Sequence, residues 1–262
     1  MRILVSNDDG IAAAGIRALA EAMATLGDVW VVAPQHQRSA SSHAISLHHT
    51  IKIQQVDIGI AGVQAAFAVD GTPVDCVKWA IVEFGKKAPF DLMVAGINAG
   101  KNLATDVLYS GTVAAAGEAG LHGVRSIAFS LAGPPYPFSE AAEVALAICR
   151  AAVHIPLPPD TFLSVNFPPA QIKSAPWRIT RLGVRRFHDR FELLEREGDL
   201  CHVRYQGDEL TAAEAEDADI RALARGEVSI TPLCYHFTHD EMVERLRTDQ
   251  GLRGLSQLSR DG

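Results

Sequence analysis

The chain has 262 residues, of which 48% are hydrophobic and 21% charged, a balance typical of a globular domain with a substantial core. Its formal net charge of −7 argues against a broad basic surface for binding nucleic-acid duplexes. Four widely spaced cysteines form neither a CxxC metal motif nor a disulfide framework, so we expect reduced thiols in a cytoplasmic protein. We expect no signal peptide, because carboxylates follow only a few apolar residues at the start of the sequence. We also expect no membrane association, because no apolar run reaches the roughly 18 residues that span a bilayer.

The first part of the chain alternates short apolar strands with helical patterns. Strands are predicted at Ile3–Val5, Asp28–Pro34, within Asp91–Gly100 and within Ser126–Gly133. Helices are predicted at Gly15–Leu26, Pro73–Glu83, Thr112–Gly120 and Glu140–Val153. This alternation predicts an α/β fold with a mostly parallel sheet covered by helices on both faces. The segment Ser39–Asp70 has a different pattern, and we expect it to form strands or a ribbon lying off the main sheet.

The composition changes after about residue 155. We treat 1–262 as one domain with a core over 1–155 and a smaller C-terminal part over 156–262. The C-terminal part is predicted to contain a strand at Phe162–Phe167, a helix at Asp217–Arg225, a strand in "GEVSITPL", a helix at His239–Leu252 and a loose final ten residues. Between Trp177 and Gly207 the pattern predicts a long two-stranded arm that turns near Glu195–Asp199. Because an isolated hairpin is only marginally stable in water, we expect the arm to pack on another subunit.

Polar residues follow the first three core strands at the end where an open parallel sheet binds its ligands. Asp8 and Asp9 follow the first strand, Ser39 follows the second, and Asn98 lies at the end of the third. Taken singly, the acids could serve a helix start, the serine a surface loop and the asparagine a turn. Together they offer hard oxygen donors, which favour Mg²⁺ or Mn²⁺ over Zn²⁺.

The segment Ser110–Thr112 precedes a helix rich in small residues. Free amide groups at such a helix start can bind an anion, although Ser110 or Thr112 could equally be a simple cap. A carboxylate-bound metal beside an anion site predicts hydrolysis of a phosphate ester by metal-activated water. An aspartyl-phosphate mechanism is disfavoured, because the two acids are adjacent rather than separated by one residue.

Histidines cluster in or near the loop after the second strand, at His36, His43, His48 and His49. One of them could donate a proton, but we favour the interpretation that they are flexible surface residues.

Several motifs in this chain resemble those of the SurE family, the survival-protein 5'/3'-nucleotidases. They are "ILVSNDDG", "VVAPQHQRSASS", "VDGTPVDCV", "AGINAGKNLATDVLYSGTVAAAGEA", "SVNFP" and "GEVSITPL", in this order from residue 3 to about residue 233. The resemblance implies a Rossmann-like three-layer core with a C-terminal hairpin arm that joins subunits into a homodimer or homotetramer. It also implies removal of phosphate from nucleoside monophosphates with one divalent metal ion per subunit, and in some members action on polyphosphate.

The same resemblance assigns roles to individual residues. The metal ligands would be Asp8, Asp9, Ser39 and Asn98, of which Asp8, Asp9 and Asn98 would also be catalytic. The phosphate-binding residues would be Asn102, Ser110, Gly111 and Thr112.

The chain also departs from the family pattern. Ala12 and Ala14 stand where a histidine and a proline are usual, Ser164 replaces an asparagine, and the segment 43–49 is rich in histidine. These changes bear on which nucleobase the protein prefers in its substrate. They also keep open the alternative of a non-catalytic nucleotide-binding stress protein.

Overall fold

The computed structural model describes residues 1–210 and 214–249. Within them, nine strands form the main sheet: β1 (Arg2–Ser6), β2 (Asp28–Pro34), β3 (Ile53–Val56), β4 (Val63–Val69), β5 (Leu92–Ala99), β6 (Ser126–Leu131), β7 (Thr161–Phe167), β8 (Trp177–Ile179) and β11 (Val228–Cys234). The helices are α1 (Ala14–Met23), α2 (Pro73–Gly85), α3 (Gly111–Leu121), α4 (Phe138–Ala152), α5 (Asp219–Ala224) and α6 (Asp240–Thr248). The hairpin strands are β9 (Arg186–Glu197) and β10 (Leu200–Leu210).

The main sheet has the strand order β3-β4-β2-β1-β5-β6-β7-β11-β8. Most neighbours are parallel, and the antiparallel pairs are β3 with β4 and β7 with β11. Strand residues alternate between the faces: Ile3 and Val5 pack in the apolar cluster under α1 and α4, whereas Leu4 packs under α2 and α3. The predicted three-layer α/β fold is confirmed, and all four cysteines are free thiols.

The prediction for Ser39–Asp70 was wrong. Strand β4 pairs in parallel with β2 and β3 extends the same sheet, so both belong to the main sheet rather than to a separate ribbon. Their alternating pattern arises because one face near the sheet edge is only partly covered. Phe67 of β4, for example, is half-buried under Trp79 of α2, with ring centroids 4.9 Å apart.

The C-terminal part contains the predicted hairpin arm. Strands β9 and β10 pair antiparallel, and Gly198 at the turn has φ = +62°, which a glycine adopts without strain.

The predicted C-terminal helix is shorter than expected at Asp240–Thr248, and its proposed end and the final ten residues lie outside the described residues. The described residues contain no helix long and apolar enough to cross a membrane. The division at residue 155 stays a prediction.

Candidate active site

The turn after β1 is held by the side chain of Asn7, a residue that the sequence analysis did not single out. Asn7 is fully buried; its Nδ2 donates to the Gly10 carbonyl at 2.9 Å, and its Oδ1 accepts from the Gly10 amide at 3.2 Å. Gly10 itself has φ = +101°, where a Cβ would introduce strain. An asparagine bonding the backbone of a nearby turn is a recognisable local signal. This clamp fixes the directions of Asp8 and Asp9, which lie inside the turn.

Asp8 is buried against the start of α3. Its Oδ1 accepts a hydrogen bond from the Thr112 hydroxyl, and only 6% of the residue is exposed. Burial raises the pKa of Asp8, the Thr112 hydroxyl opposes that rise, and the charge of Asp9 adds to it. A nearby cation would therefore stabilise the ionised form of this carboxylate.

Asp9 is half-buried and faces the end of β5. Its Oδ2 accepts from the Ala99 amide at 3.0 Å, and its Oδ1 accepts from Gln37 Nε2 at 3.3 Å. The neighbouring Asn98 uses its Nδ2 to donate to the Gly100 carbonyl at 2.9 Å. Among the described residues, no donor reaches Asn98 Oδ1, which leaves this oxygen available as a ligand. Asp9 and the end of β5 thus meet at one edge of the sheet.

The loop after β2 crosses this turn, because the Arg38 amide donates to the Asp8 carbonyl at 2.7 Å. Ser39 follows directly and is exposed; within the described part of the chain its hydroxyl makes no hydrogen bond to Asp8, Asp9 or Asn98. The structure therefore brings Ser39 to the rim, where its hydroxyl is not hydrogen-bonded to the other predicted ligands among the described residues.

Ser41 lies deeper than Ser39, and sequence analysis missed it in the serine-rich loop. Its Oγ is buried and has no hydrogen-bond partner among the described residues. A Cβ placed on Gly111 would lie 2.6 Å from Ser41 Oγ and 3.0 Å from Asp8 Oδ2. The unpartnered hydroxyl is therefore next to Gly111, on the side where the Asp8 carboxylate also lies.

Two functions were considered from sequence for the start of α3, helix capping and anion binding, and the structure shows the first. Ser110 is the N-cap, and its Oγ accepts from the Val113 amide at 3.1 Å. Gly111 allows the start of α3 to approach Asp8 closely, since a Cβ on Gly111 would lie 2.8 Å from Asp8 Cβ. Thr112 contacts Asp8 directly. Capping is thus present at Ser110, and phosphate binding by the three residues stays a prediction.

Asn102 braces the loop after β5. Its Nδ2 donates to Ser130 Oγ at 2.8 Å, its amide donates to Asn166 Oδ1 at 2.8 Å, and its carbonyl accepts from Asn166 Nδ2 at 2.9 Å. The structure thus joins Asn102 to β6 and β7, and its predicted contact with phosphate is untested.

The donors at this edge fit a hard divalent cation. The described residues contain no group of three or more His, Cys, Asp and Glu side chains placed to hold a metal ion, so a site here would combine two carboxylates with neutral oxygens. Mg²⁺ and Mn²⁺ tolerate such a set, because they retain several waters and need few protein carboxylates. The buried, unpartnered hydroxyl of Ser41 near the buried carboxylate of Asp8 is the specific observation that supports this fit.

A family model described as survival protein SurE matches residues 3–189 of the chain. The chain belongs to the SurE family. A relative named 5'-nucleotidase SurE from Anaeromyxobacter dehalogenans is 42% identical over 258 residues, covering 95% of each chain. 5'-nucleotidase SurE 1 from Thermus thermophilus is 43% identical over 249 residues, covering 94% of this chain and 96% of its own. The crystal structure of the SurE protein from Aquifex aeolicus is similar, with a TM-score of 0.81 and 32% identity, and the match covers 94% of this chain and 98% of that chain.

The departures from the SurE pattern lie outside the contacts around the two acids. Ala12 is exposed between the turn and α1, and Ala14 is the exposed first residue of α1. Ser164 is buried in β7, with no hydrogen-bond partner for its Oγ in the described part of the chain.

The surface interpretation of the histidines needs one correction in this SurE chain. His36, His48 and His49 are exposed, as expected. His43 is half-buried and bonds Glu118 and Tyr235, because it faces the side of α3 rather than solvent.

Proposed function

We propose that this chain is a 5'-nucleotidase, a phosphoric monoester hydrolase that acts on nucleoside monophosphates with the help of a divalent cation. Two relatives more than 40% identical over nearly the whole chain carry the name 5'-nucleotidase, which supports this proposal. The observation that carries it is the Asp8 carboxylate buried against the N-terminal end of an α-helix, beside a second carboxylate and an unpartnered hydroxyl.

The chain's own residues supply orientation and charge. Asp8, Asp9, Ser39 and Asn98 would hold the cation, with the Ser41 hydroxyl close by. When bound, the cation would supply Lewis-acid charge and lower the pKa of an adjacent water. The Gly111 and Thr112 amides lie at the positive end of α3 and would orient the phosphoryl oxygens. The Asn7 clamp keeps both carboxylates in place while the substrate binds.

The finer assignments belong to the same proposal. The cation is Mg²⁺ or Mn²⁺, one per subunit, and 3'-nucleotides or polyphosphate are further substrates. The protein is cytoplasmic, and the hairpin arm joins it into a homodimer or homotetramer.

A substrate panel tests the proposal. Phosphate release would be measured from 5'- and 3'-nucleoside monophosphates and polyphosphate, with Mn²⁺, with Mg²⁺ and after chelation. We expect the protein to hydrolyse at least one 5'-nucleotide. This hydrolysis should require the cation and should be lost in Asp8→Asn. Nucleotide binding without phosphate release under any condition would instead favour the non-catalytic stress protein.

A further inference from the structure

We propose that His43 and Glu118 are positioning residues that hold the loop carrying Ser39 and Ser41 against α3, and thereby set the cation site. This inference rests on the proposed function for its catalytic consequence, but the loop position itself can be measured without turnover. The argument starts at Glu118, seven residues along the helix from Gly111.

Glu118 joins three parts of the chain through one buried carboxylate. Only 5% of its side chain is exposed. Its Oε2 accepts from His43 Nε2 at 2.7 Å. Its Oε1 accepts from Lys78 Nζ of α2 at 2.6 Å and from His122 Nε2 at 3.0 Å. Burial alone would raise the pKa of Glu118, but the bonds from His43 and Lys78 outweigh it and bring the pKa to about 2. The carboxylate is therefore ionised at neutral pH and binds its partners as an anion.

His43 is held from its other side by Tyr235, which directly follows β11. The Tyr235 hydroxyl lies 3.0 Å from His43 Nδ1, and the two rings meet edge to face with centroids 5.0 Å apart. Tyr235 can reach this place because it crosses α3 at Gly117, where a Cβ would lie 2.2 Å from the tyrosine oxygen. Both nitrogens of the imidazole are thus engaged, which fixes the ring in one orientation.

The loop is also tied on both sides of His43. Ser42 donates from its amide to the Tyr109 carbonyl at 3.0 Å and from its Oγ to the Leu108 carbonyl at 2.7 Å. Ser46 donates from its amide and its Oγ to Asp75 of α2 at 2.9 and 2.8 Å.

His43 bonds the buried carboxylate of Glu118, and a hydrogen bond to a charged group contributes more to the loop's position than a neutral bond would. Ser39 and Ser41 lie between the Arg38–Asp8 bond and these attachments. Loss of the His43–Glu118 bond would therefore loosen the segment that presents both hydroxyls.

The test compares His43→Ala, His43→Gln and Glu118→Gln with a matched control, His122→Asn. His122 shares the Glu118 carboxylate but directly follows the same helix, α3, so its loss leaves the loop attached. Hydrogen exchange of the amides of residues 39–44, Mn²⁺ affinity measured by calorimetry, and the separate kcat and KM values would be recorded for each variant.

We expect His43→Ala to speed exchange in residues 39–44, to weaken Mn²⁺ binding about 10-fold and to lower kcat by about 10-fold or more with a smaller change in KM. His43→Gln retains an N–H donor and should recover part of each loss, whereas His122→Asn should stay within about 2-fold of the parent. Unchanged exchange and unchanged Mn²⁺ affinity in His43→Ala would overturn the proposal, even if Glu118→Gln fails to fold. If no nucleotide is hydrolysed by the parent, the exchange measurement still decides the role of His43.

Discussion

The Thr112 hydroxyl donates a hydrogen bond to Asp8 Oδ1, so the end of β1 and the first turn of α3 share one buried carboxylate. Two segments about 100 residues apart are joined at the place where the chemistry is proposed. This contact explains why a threonine follows the glycine at the start of α3, and it leads to the first prediction.

Asp8→Asn should abolish turnover while stabilising the metal-free protein. The loss of turnover should exceed about 100-fold, because a cation ligand is removed. Burial raises the pKa of Asp8, so its ionised form destabilises the folded state in the absence of a cation, and a neutral amide removes this cost. Calorimetry in chelator should show a higher Tm for the variant. Near-normal phosphate release, or a lower Tm than the parent in chelator, would contradict this prediction.

Gly111→Ala should inactivate the protein far more than Gly120→Ala in the same helix. A Cβ on Gly111 would lie 2.6 Å from Ser41 Oγ and 2.8 Å from Asp8 Cβ, so both groups would have to move. The nearest atom to a Cβ on Gly120 is 3.5 Å away, an ordinary contact. We expect kcat/KM to fall at least about 10-fold in the first variant and to change less than about 2-fold in the second. Equal effects in the two variants would contradict this prediction. They would show that a methyl group at either glycine disturbs the packing of α3 in a general way.

The free energy of unfolding should fall in acid as Glu118 becomes protonated. Its pKa is lowered from 4.5 to about 2 in the folded protein, so its stabilising contribution is complete above pH 4.5 and is lost as the pH falls toward 2. That contribution is on the order of 3 kcal/mol. Urea unfolding between pH 7 and pH 3 should show a weaker pH dependence for Glu118→Gln than for the parent.

Glu143→Gln provides a control for that experiment, since Glu143 pairs with Lys173 but leaves 64% of its side chain exposed. Exposed ion pairs contribute little, so its curve should follow that of the parent. A steep pH dependence that persists in Glu118→Gln would assign the acid sensitivity to other groups.

The hairpin arm should mediate self-association through one apolar face. Phe191 pairs with Tyr205 and Leu193 pairs with Val203 across β9 and β10, and all four are more than half exposed. Replacing Phe191 and Leu193 by serine should lower the particle mass measured by light scattering. Replacing Glu192 on the opposite face by serine should leave the mass unchanged. A parent protein that is monomeric at micromolar concentration would contradict the proposed role of the arm.

The sequence was informative where its signals are local. Apolar runs such as "ILV" and "DVWVVAP" identified the buried parallel strands, and the carboxyl ends of those strands located Asp8, Asp9 and Asn98 on one edge. The extent of the main sheet was underestimated, because the partial cover over Phe67 gives β4 the alternating pattern of a half-exposed strand.

The supporting contacts of the site could not be deduced in this way. His43 and Glu118 are 75 residues apart, and no spacing rule connects them. The buried hydroxyl of Ser41 likewise depends on the approach of Gly111, which only the packed structure reveals. Asn7 is different, because its bonds to Gly10 lie within one turn and the asparagine is itself a turn signal.

Ser110 and Asp8 both bond to the first turn of α3, and this affects how a cation and a phosphate bind there. Ser110 already satisfies the Val113 amide, and the Asp8 carboxylate lies where the positive end of the helix would attract a free anion. Phosphate alone should therefore meet a negative group and bind weakly. A cation that neutralises Asp8 would reverse this repulsion, so the two ions should bind synergistically, and a released phosphate should leave readily once the cation dissociates.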